Sequence, residues 1–227
     1  GWTVGDGGYL FVGGEVRDRG ATNRAAPDPR PQYFAGDPRN DDASLPVPGR
    51  VTFRFGDPRT RDAQGFVNAG TTLGSGVELY AFGGLGHRSG EAAGFWRRPM
   101  DDNNLRQLYP NGFRPSIESR IGDASAFAGA RGTARGWRWD ASAGVGRNTF
   151  DYDVANSVNV SLGPTSPTAF HAGRLAFDQL VATLDVTRDV GVGLRAPLHV
   201  AWGAEARRDR YAISPGDSAS WANGGHP

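Results

Sequence analysis

Alternation between apolar and polar residues is the dominant pattern of this chain, and it is clearest between Gln179 and Tyr211. The first arm of this segment alternates from Leu180 to Val186, and the second alternates from Leu198 to Ala206. A period of two residues places each set on one face of a β-strand. One face of the predicted hairpin is therefore almost wholly apolar. The other face carries three charged residues, Asp185, Glu205 and Arg207.

The same alternation recurs along the chain and predicts further strands. They are Tyr9–Arg19, Val51–Phe55 with Phe66–Leu73, Val77–Arg88, Ala124–Gly132, and Trp137–Gly146 with an extension from Asn148 to Val160. Turns are predicted near positions 6, 75, 135 and 193, and long polar segments at 21–49, 89–120 and 161–174. No helical period is sustained. The pattern predicts an all-β protein, an antiparallel meander of about seven long strands.

Short turns therefore alternate with long loops, which is the asymmetry of outer-membrane β-barrels. Trp137 and Trp139, next to a predicted turn, are typical of an aromatic girdle at a membrane interface. This interpretation makes the chain part of a transmembrane β-barrel with short periplasmic turns and long extracellular loops. A soluble sheet that buries its apolar face in a core gives the same alternation within one hairpin, so this alternative stays open.

Composition removes several classes of function. The 227 residues contain no Cys, which excludes disulfides, thiolate metal sites and a Cys nucleophile. A net charge of +1 without a basic stripe gives no reason to expect nucleic acid as a partner. No apolar run reaches the roughly 18 residues of a transmembrane helix. No motif of an enzyme is present, and we expect neither catalysis nor a cofactor.

Several segments, in this order, resemble the barrel of a TonB-dependent outer-membrane receptor. They are Thr22–Ala25, Glu78–Gly83, His87–Pro99, Tyr109–Phe113, Gly136–Asp140, Gly163–Phe170 and Gly203–Arg208. The resemblance implies a barrel of roughly 22 strands filled by a plug domain. It also implies energised uptake of a scarce nutrient, most of all a ferric siderophore, in the outer membrane. Residues 1–227 would then be a partial barrel domain without the plug, unable to transport by itself.

The resemblance also names the partners: outer-membrane lipid, the protein's own plug domain and, through it, the TonB complex. Nine charged residues are predicted to face the barrel lumen and the plug: Glu15, Arg17, Glu78, Arg88, Arg131, Asp140, Asp185, Glu205 and Arg207. A wall of mutual ion pairs is the alternative for these residues. A passive porin-like barrel segment and a soluble β-rich ligand-binding module are the alternative functions.

The long loops supply the candidates for ligand capture, because binding residues concentrate on loops held by a rigid scaffold. The candidates are Trp96, Arg97, Arg98, Tyr109 and Phe113. Aromatic rings and guanidinium groups suit an anionic or catecholate ligand, and packing between loops is the alternative. The run from Asp101 to Asn104 offers oxygen ligands for Ca²⁺ but lacks the spacing of an EF-hand. His87, His171, His199 and His226 show no metal-binding spacing.

Overall fold

The computed structural model describes residues 1–5, 7–46 and 49–225, and it contains one eight-stranded antiparallel sheet. The strands follow one another in sheet order as they do in the chain, so the fold is a meander. The strands are β1 (Trp2–Val4), β2 (Gly8–Arg19), β3 (Arg59–Thr72), β4 (Glu78–Ala93), β5 (Ser116–Ala134), β6 (Trp137–Ala155), β7 (Ala169–Val190) and β8 (Leu198–Pro215). The prediction of an all-β meander with seven long strands is confirmed, and the three-residue β1 is an addition.

The connections alternate in length, as the sequence predicts. Short turns at 73–77, 135–136 and 191–197 lie at one end of the strands, which we call the turn edge. The connections 20–58, 94–115 and 156–168 lie at the other end, the loop edge, and contain two short 3-10 helices, Pro38–Asp41 and Val160–Thr165. A third, Ser218–Ser220, follows β8. The predicted turn at 5–8 includes Asp6, which lies outside the described residues.

The β5–β6 turn shows why two residues suffice at the turn edge. Arg135 and Gly136 both have positive φ, 51° and 80°, between the paired residues Ala134 and Trp137. Positive φ at both central positions is the type I′ geometry, whose twist matches that of the flanking strands. Gly adopts this conformation without steric cost, and this local choice fixes the register of β5 against β6.

Several predicted boundaries are wrong at the loop edge. Val51–Phe55 is not a strand, and β3 begins at Arg59. The structure instead pairs Asp28 with Arg50 in an isolated bridge within the first long connection. The predicted loop at 89–120 is too long, because β4 continues to Ala93 and β5 begins at Ser116. The predicted extension Asn148–Val160 is too long and the predicted loop at 161–174 begins too late, because β6 ends at Ala155 and β7 begins at Ala169.

The sheet has no second layer packed against it in the described part of the chain. Its edges are β1 and β8, which do not pair with each other there. The most completely buried side chains, Gln32 and Tyr33, lie in the first long connection rather than on the sheet. None of the helices in the described ranges is long and apolar enough to span a membrane.

Candidate functional site

The register separates the sheet into an apolar face and a polar face. Residues directly opposite one another on neighbouring strands share a face, and we call such a set a register row. One row runs from Leu10 on β2 through Ala69, Ala81, Ala128, Ala143 and Ala182 to Ala206 on β8. The row is apolar throughout and defines the apolar face. The face assignment predicted for the hairpin Gln179–Tyr211 is confirmed, because Leu184 opposes Ala204 and Val186 opposes Trp202.

The apolar face is apolar only near the turn edge, in a stretch that we call the apolar band. On β2, β4, β6 and β8, the last apolar residues of this band toward the loop edge are Val16, Leu85, Val145 and Ala206, respectively. The next residues on the same face toward the loop edge are Asp18, His87, Arg147 and Arg208. Beyond this boundary, the strands carry polar residues on both faces.

The boundary of the apolar band is inclined to the register rows. Ala206, the last apolar residue on β8, shares its row with Leu10 on β2, whereas the band on β2 continues to Val16. The boundary therefore moves by about one residue per strand across β2 to β8. With a rise of about 3.3 Å per residue and about 4.8 Å between strands, the inclination is about 35°.

The turn edge moves in the same direction. One register row contains Thr72 on β3, Glu78 on β4, Arg131 on β5, Asp140 on β6 and Asp185 on β7. Strand β3 ends at this row, β5 continues to Ala134, and β7 continues to Val190. Both margins of the apolar band are thus inclined in the same sense, and the band keeps its height across the sheet.

Large apolar side chains of this band are exposed. The exposed fractions are 84% for Val16, 70% for Leu85, 53% for Val145 and 52% for Leu180. A sheet normally buries its apolar face against another layer. The apolar band therefore needs a covering that the described residues do not supply.

Four of the six tryptophans lie on this apolar face near the turn edge: Trp2, Trp137, Trp139 and Trp202. Trp139, Val186 and Trp202 share one register row. The guanidinium of Arg188 lies 5.5 Å from the centre of the Trp137 ring. Tryptophans gathered at one margin of an apolar band resemble the aromatic girdles of membrane proteins.

The polar face carries all nine residues that the sequence predicts to face a lumen. The register places Glu15, Arg17, Glu78, Arg88, Arg131, Asp140, Asp185, Glu205 and Arg207 on this one face. Their contact with a lumen or a plug stays a prediction.

Five of these nine residues belong to two polar groups across neighbouring strands, which also contain Asp62 and Tyr80. Asp62 on β3 pairs with Arg17 at 3.3 Å and with Arg88 on its other side. Arg131 pairs with Glu78 at 2.6 Å, and the Tyr80 hydroxyl donates to Asp140 Oδ1 at 2.5 Å. Of the remaining carboxylates, Glu15 accepts from Gln64 Nε2 at 3.4 Å, and Asp185 and Glu205 have no ion-pair partner among the described residues. The polar face therefore consists partly of self-paired charges and partly of acidic groups open to a partner.

A set of glycine–aromatic pairs, which the alternation does not predict, explains part of the high glycine content. Tyr9 lies opposite Gly70, Phe66 opposite Gly13, Tyr80 opposite Gly129, and Phe127 opposite Gly144. A Cβ added to Gly13 would lie 2.5 Å from Phe66 Cε1, and one added to Gly70 would lie 2.7 Å from Tyr9 Cε1. Each ring thus lies over the bare backbone of its partner. The alternation alone cannot reveal these pairs, because they depend on register between strands.

The five predicted ligand-capture residues come together at the loop edge, where they contact one another within the second long loop and, through Trp96, Arg98 and Tyr109, contact the neighbouring loops. Phe113 is only 4% exposed and its ring lies 4.3 Å from that of Tyr109. Trp96 Nε1 donates to Gln32 Oε1 at 2.8 Å, and Arg98 pairs with Asp101 at 2.7 Å. Arg97 joins Phe113 through backbone hydrogen bonds. These contacts are of the kind expected from loop packing, which is the alternative interpretation of the five residues. Ligand binding by them stays a prediction.

A polar network around Asp28 connects the first two long loops. The Asp28 carboxylate, 4% exposed, accepts two hydrogen bonds of 2.8 Å from Arg30 and one of 3.2 Å from Gln32 Nε2. The Arg30 guanidinium holds the pKa of Asp28 at about 2, below the ordinary value of 3.8. Since Gln32 also accepts from Trp96, the network joins residues more than sixty positions apart in the chain. Burial raises the pKa of Tyr33 and of Tyr109 in the same region.

Metal-binding groups are absent from the described ranges: no three His, Asp or Glu side chains are arranged to hold an ion there. Asp101 accepts from the backbone and side chain of Arg98, and the Asn104 amide donates to the carbonyls of Pro99 and Tyr109. This run thus stabilises its own loop. His226 lies outside the described residues.

Comparisons with known proteins give no family for the chain. Neither the protein-family models, nor the curated proteins, nor the solved structures contain a match.

Proposed function

We propose that this chain forms part of the wall of a transmembrane β-barrel in an outer membrane. The apolar band faces lipid, the polar face lines the lumen, the short turns are periplasmic and the long loops are extracellular. The barrel in this proposal belongs to a TonB-dependent receptor for energised uptake of a scarce nutrient, with a ferric siderophore as the first candidate.

The inclined apolar band is the observation that carries the membrane proposal. Strands of outer-membrane barrels tilt by about 35–45° from the membrane normal. A level slab of lipid crossing such strands therefore meets each next strand about one residue further along, which is the shift that the apolar band follows. The apolar band on β8 runs from Leu198 to Ala206, which is a height of about 22 Å at this tilt, close to the lipid-facing band of such barrels, about 25 Å.

Energised uptake rests on the resemblance to the receptor family, with support from the polar face. A plugged barrel requires charged groups that can contact the plug. The acidic groups Asp185 and Glu205 are candidates for such contacts. A passive porin-like barrel would share the apolar band but would work without a plug and without the TonB complex.

Site-directed spin labelling tests the membrane proposal. The chain contains no Cys, so each introduced Cys carries the only label. Leu180→Cys places the label on the apolar face, and Gln179→Cys, its neighbour on β7, places it on the polar face. We expect relaxation by lipid-soluble oxygen at 180 and by a water-soluble nickel chelate at 179. Protection of the label at 180 from both reagents would mean a protein core and would support the soluble module.

Uptake is tested separately in cells. Disruption of the reading frame that contains this chain should slow growth when iron is supplied only as a ferric siderophore. Uptake should also stop when the proton gradient of the inner membrane is collapsed. Continued uptake without the gradient would instead indicate a passive pore.

A further inference from the structure

The loop-edge margin of the apolar band carries charged residues, most of which neutralise each other. On the apolar face just beyond the band, Arg61 pairs with Asp18 at 2.8 Å and Arg147 pairs with Asp178 at 3.2 Å. Further toward the loop edge, Arg174 pairs with Asp151 at 2.7 Å. These pairs leave little net charge along β2 to β7.

Strand β8 departs from this pattern. Arg208 and Arg210 lie on the apolar face directly beyond Ala206, and both are exposed. Neither has an ion-pair partner within the described ranges. Asp178, which lies opposite Arg210 on β7, pairs with Arg147 instead. Arg207 and Asp209 point to the polar face, so the Asp209 carboxylate lies on the other side of the sheet.

From this position we infer that Arg208 and Arg210 bind the phosphate groups of anionic lipids in the leaflet next to the long loops. The inference rests on the proposed membrane location. In that location lipid tails lie beside Ala206, and lipid headgroups lie about two residues further along β8 toward the loop edge. Guanidinium groups bind phosphate through paired N–H donors, and their long aliphatic stems can lie along the apolar band while the charge stays in the headgroup region.

Two features favour lipid phosphate over a dissolved anion. The two side chains lie two residues apart on an open strand face, without a surrounding cavity that would enclose a free ion. They also continue the margin of the apolar band, so that a lipid could bind with its tail and its headgroup together. Inorganic phosphate lacks the tail and should bind much more weakly.

The test compares association of the full chain with vesicles of phosphatidylcholine alone and of phosphatidylcholine mixed with phosphatidylglycerol. The mixed vesicles should bind the wild-type chain about 10- to 30-fold more tightly at low salt, given the usual attraction of two basic residues to an anionic surface. The double variant Arg208→Gln with Arg210→Gln should lose this preference. Inorganic phosphate at the same charge concentration should not compete.

The matched control removes two arginines from the turn edge, Arg135→Gln and Arg195→Gln, so that both double variants have the same net charge. This control should keep the preference for phosphatidylglycerol. Equal loss in both double variants would overturn the inference, because net charge alone would then explain the effect. Competition by inorganic phosphate would also overturn it, in favour of a dissolved-anion site.

The outcomes separate this inference from the proposed function. Equal insertion of the wild-type chain into both vesicles would overturn phosphate binding while leaving the membrane proposal in place. Absence of binding to either vesicle would overturn the inference, while the spin-label measurement tests the membrane proposal separately.

Discussion

At the scale of single residues, the glycine–aromatic pairs connect composition to packing. Gly144 and Gly146 lie on the same strand and the same face, yet only Gly144 has an aromatic ring over it, that of Phe127. An added Cβ at Gly146 meets nothing within 4 Å. Identical substitutions at the two sites therefore isolate the effect of the ring.

We expect Gly144→Ala to lower the free energy of unfolding by about 1–3 kcal/mol, because the Cβ overpacks against Phe127. Gly146→Ala should be neutral or stabilise by up to about 1 kcal/mol, since Ala restricts the unfolded chain. Urea unfolding in detergent micelles measures both. Combination with Phe127→Ala should remove most of the cost of Gly144→Ala; equal effects at 144 and 146 would contradict this packing.

The Asp28 network gives a prediction for pH. The folded-state pKa of about 2 lies below the ordinary value of 3.8, so the carboxylate form is stabilised by folding. This stabilisation, about 2 kcal/mol, is present above about pH 4 and is lost as the pH falls toward 2. The chain has six tryptophans, so the difference in fluorescence between it and a Trp96→Phe variant reports the contact between the loops. Asp28→Asn should make the contact weaker at neutral pH and remove this part of the acid dependence; an unchanged acid transition would show that other carboxylates control it.

The sequence predicts the polar-face residues well and the glycine pairs not at all, for a physical reason. Alternation is local, so it assigns Glu15 or Asp185 to a face without knowledge of neighbouring strands. The pair of Phe127 and Gly144 depends on register between β5 and β6. The contacts of Trp96 with Gln32 likewise join distant loops, which no local pattern encodes.

At the scale of elements, the sequence finds the strands where one face is apolar and the other polar, and it misplaces their ends where polarity no longer distinguishes the two faces. Strand β4 continues to Ala93, beyond its last apolar-band residue Leu85. Past that residue the alternation disappears, although the backbone ladder continues. The predicted loop at 89–120 is too long for this reason, and the short turns are predicted well because glycine marks them.

The β5–β6 turn offers a prediction at this scale. Gly136→Val places a β-branched residue at φ 80° and should cost about 1–2 kcal/mol of unfolding free energy. Arg135→Asn should stabilise the same turn by a few tenths of a kcal/mol, because Asn-Gly suits type I′ geometry. Thermal unfolding of both variants checks the signs. A stable Gly136→Val variant would show that the turn can adopt another geometry without loss of register.

At the scale of the whole molecule, the apolar band joins observations that are separate at smaller scales. The band is continuous across seven strands, it is inclined by about 35° to the register rows, and tryptophans gather at its turn-edge margin. A soluble sheet that packs against a flat layer gains nothing from shifting its apolar residues by one position per strand. A membrane imposes the shift on tilted strands.

The depth of labelled residues in a lipid bilayer tests this central claim most directly. Single Cys variants at Val16, Leu10 and Ala206 would carry a nitroxide, with depth measured by paired lipid-soluble and water-soluble relaxants. Val16 and Ala206 should lie at the same depth although they belong to different register rows. Leu10, in the row of Ala206, should lie about 16 Å from both along the membrane normal and therefore well inside the hydrocarbon region. Equal depths for Leu10 and Ala206, or no contact of the three labels with lipid, would contradict the account.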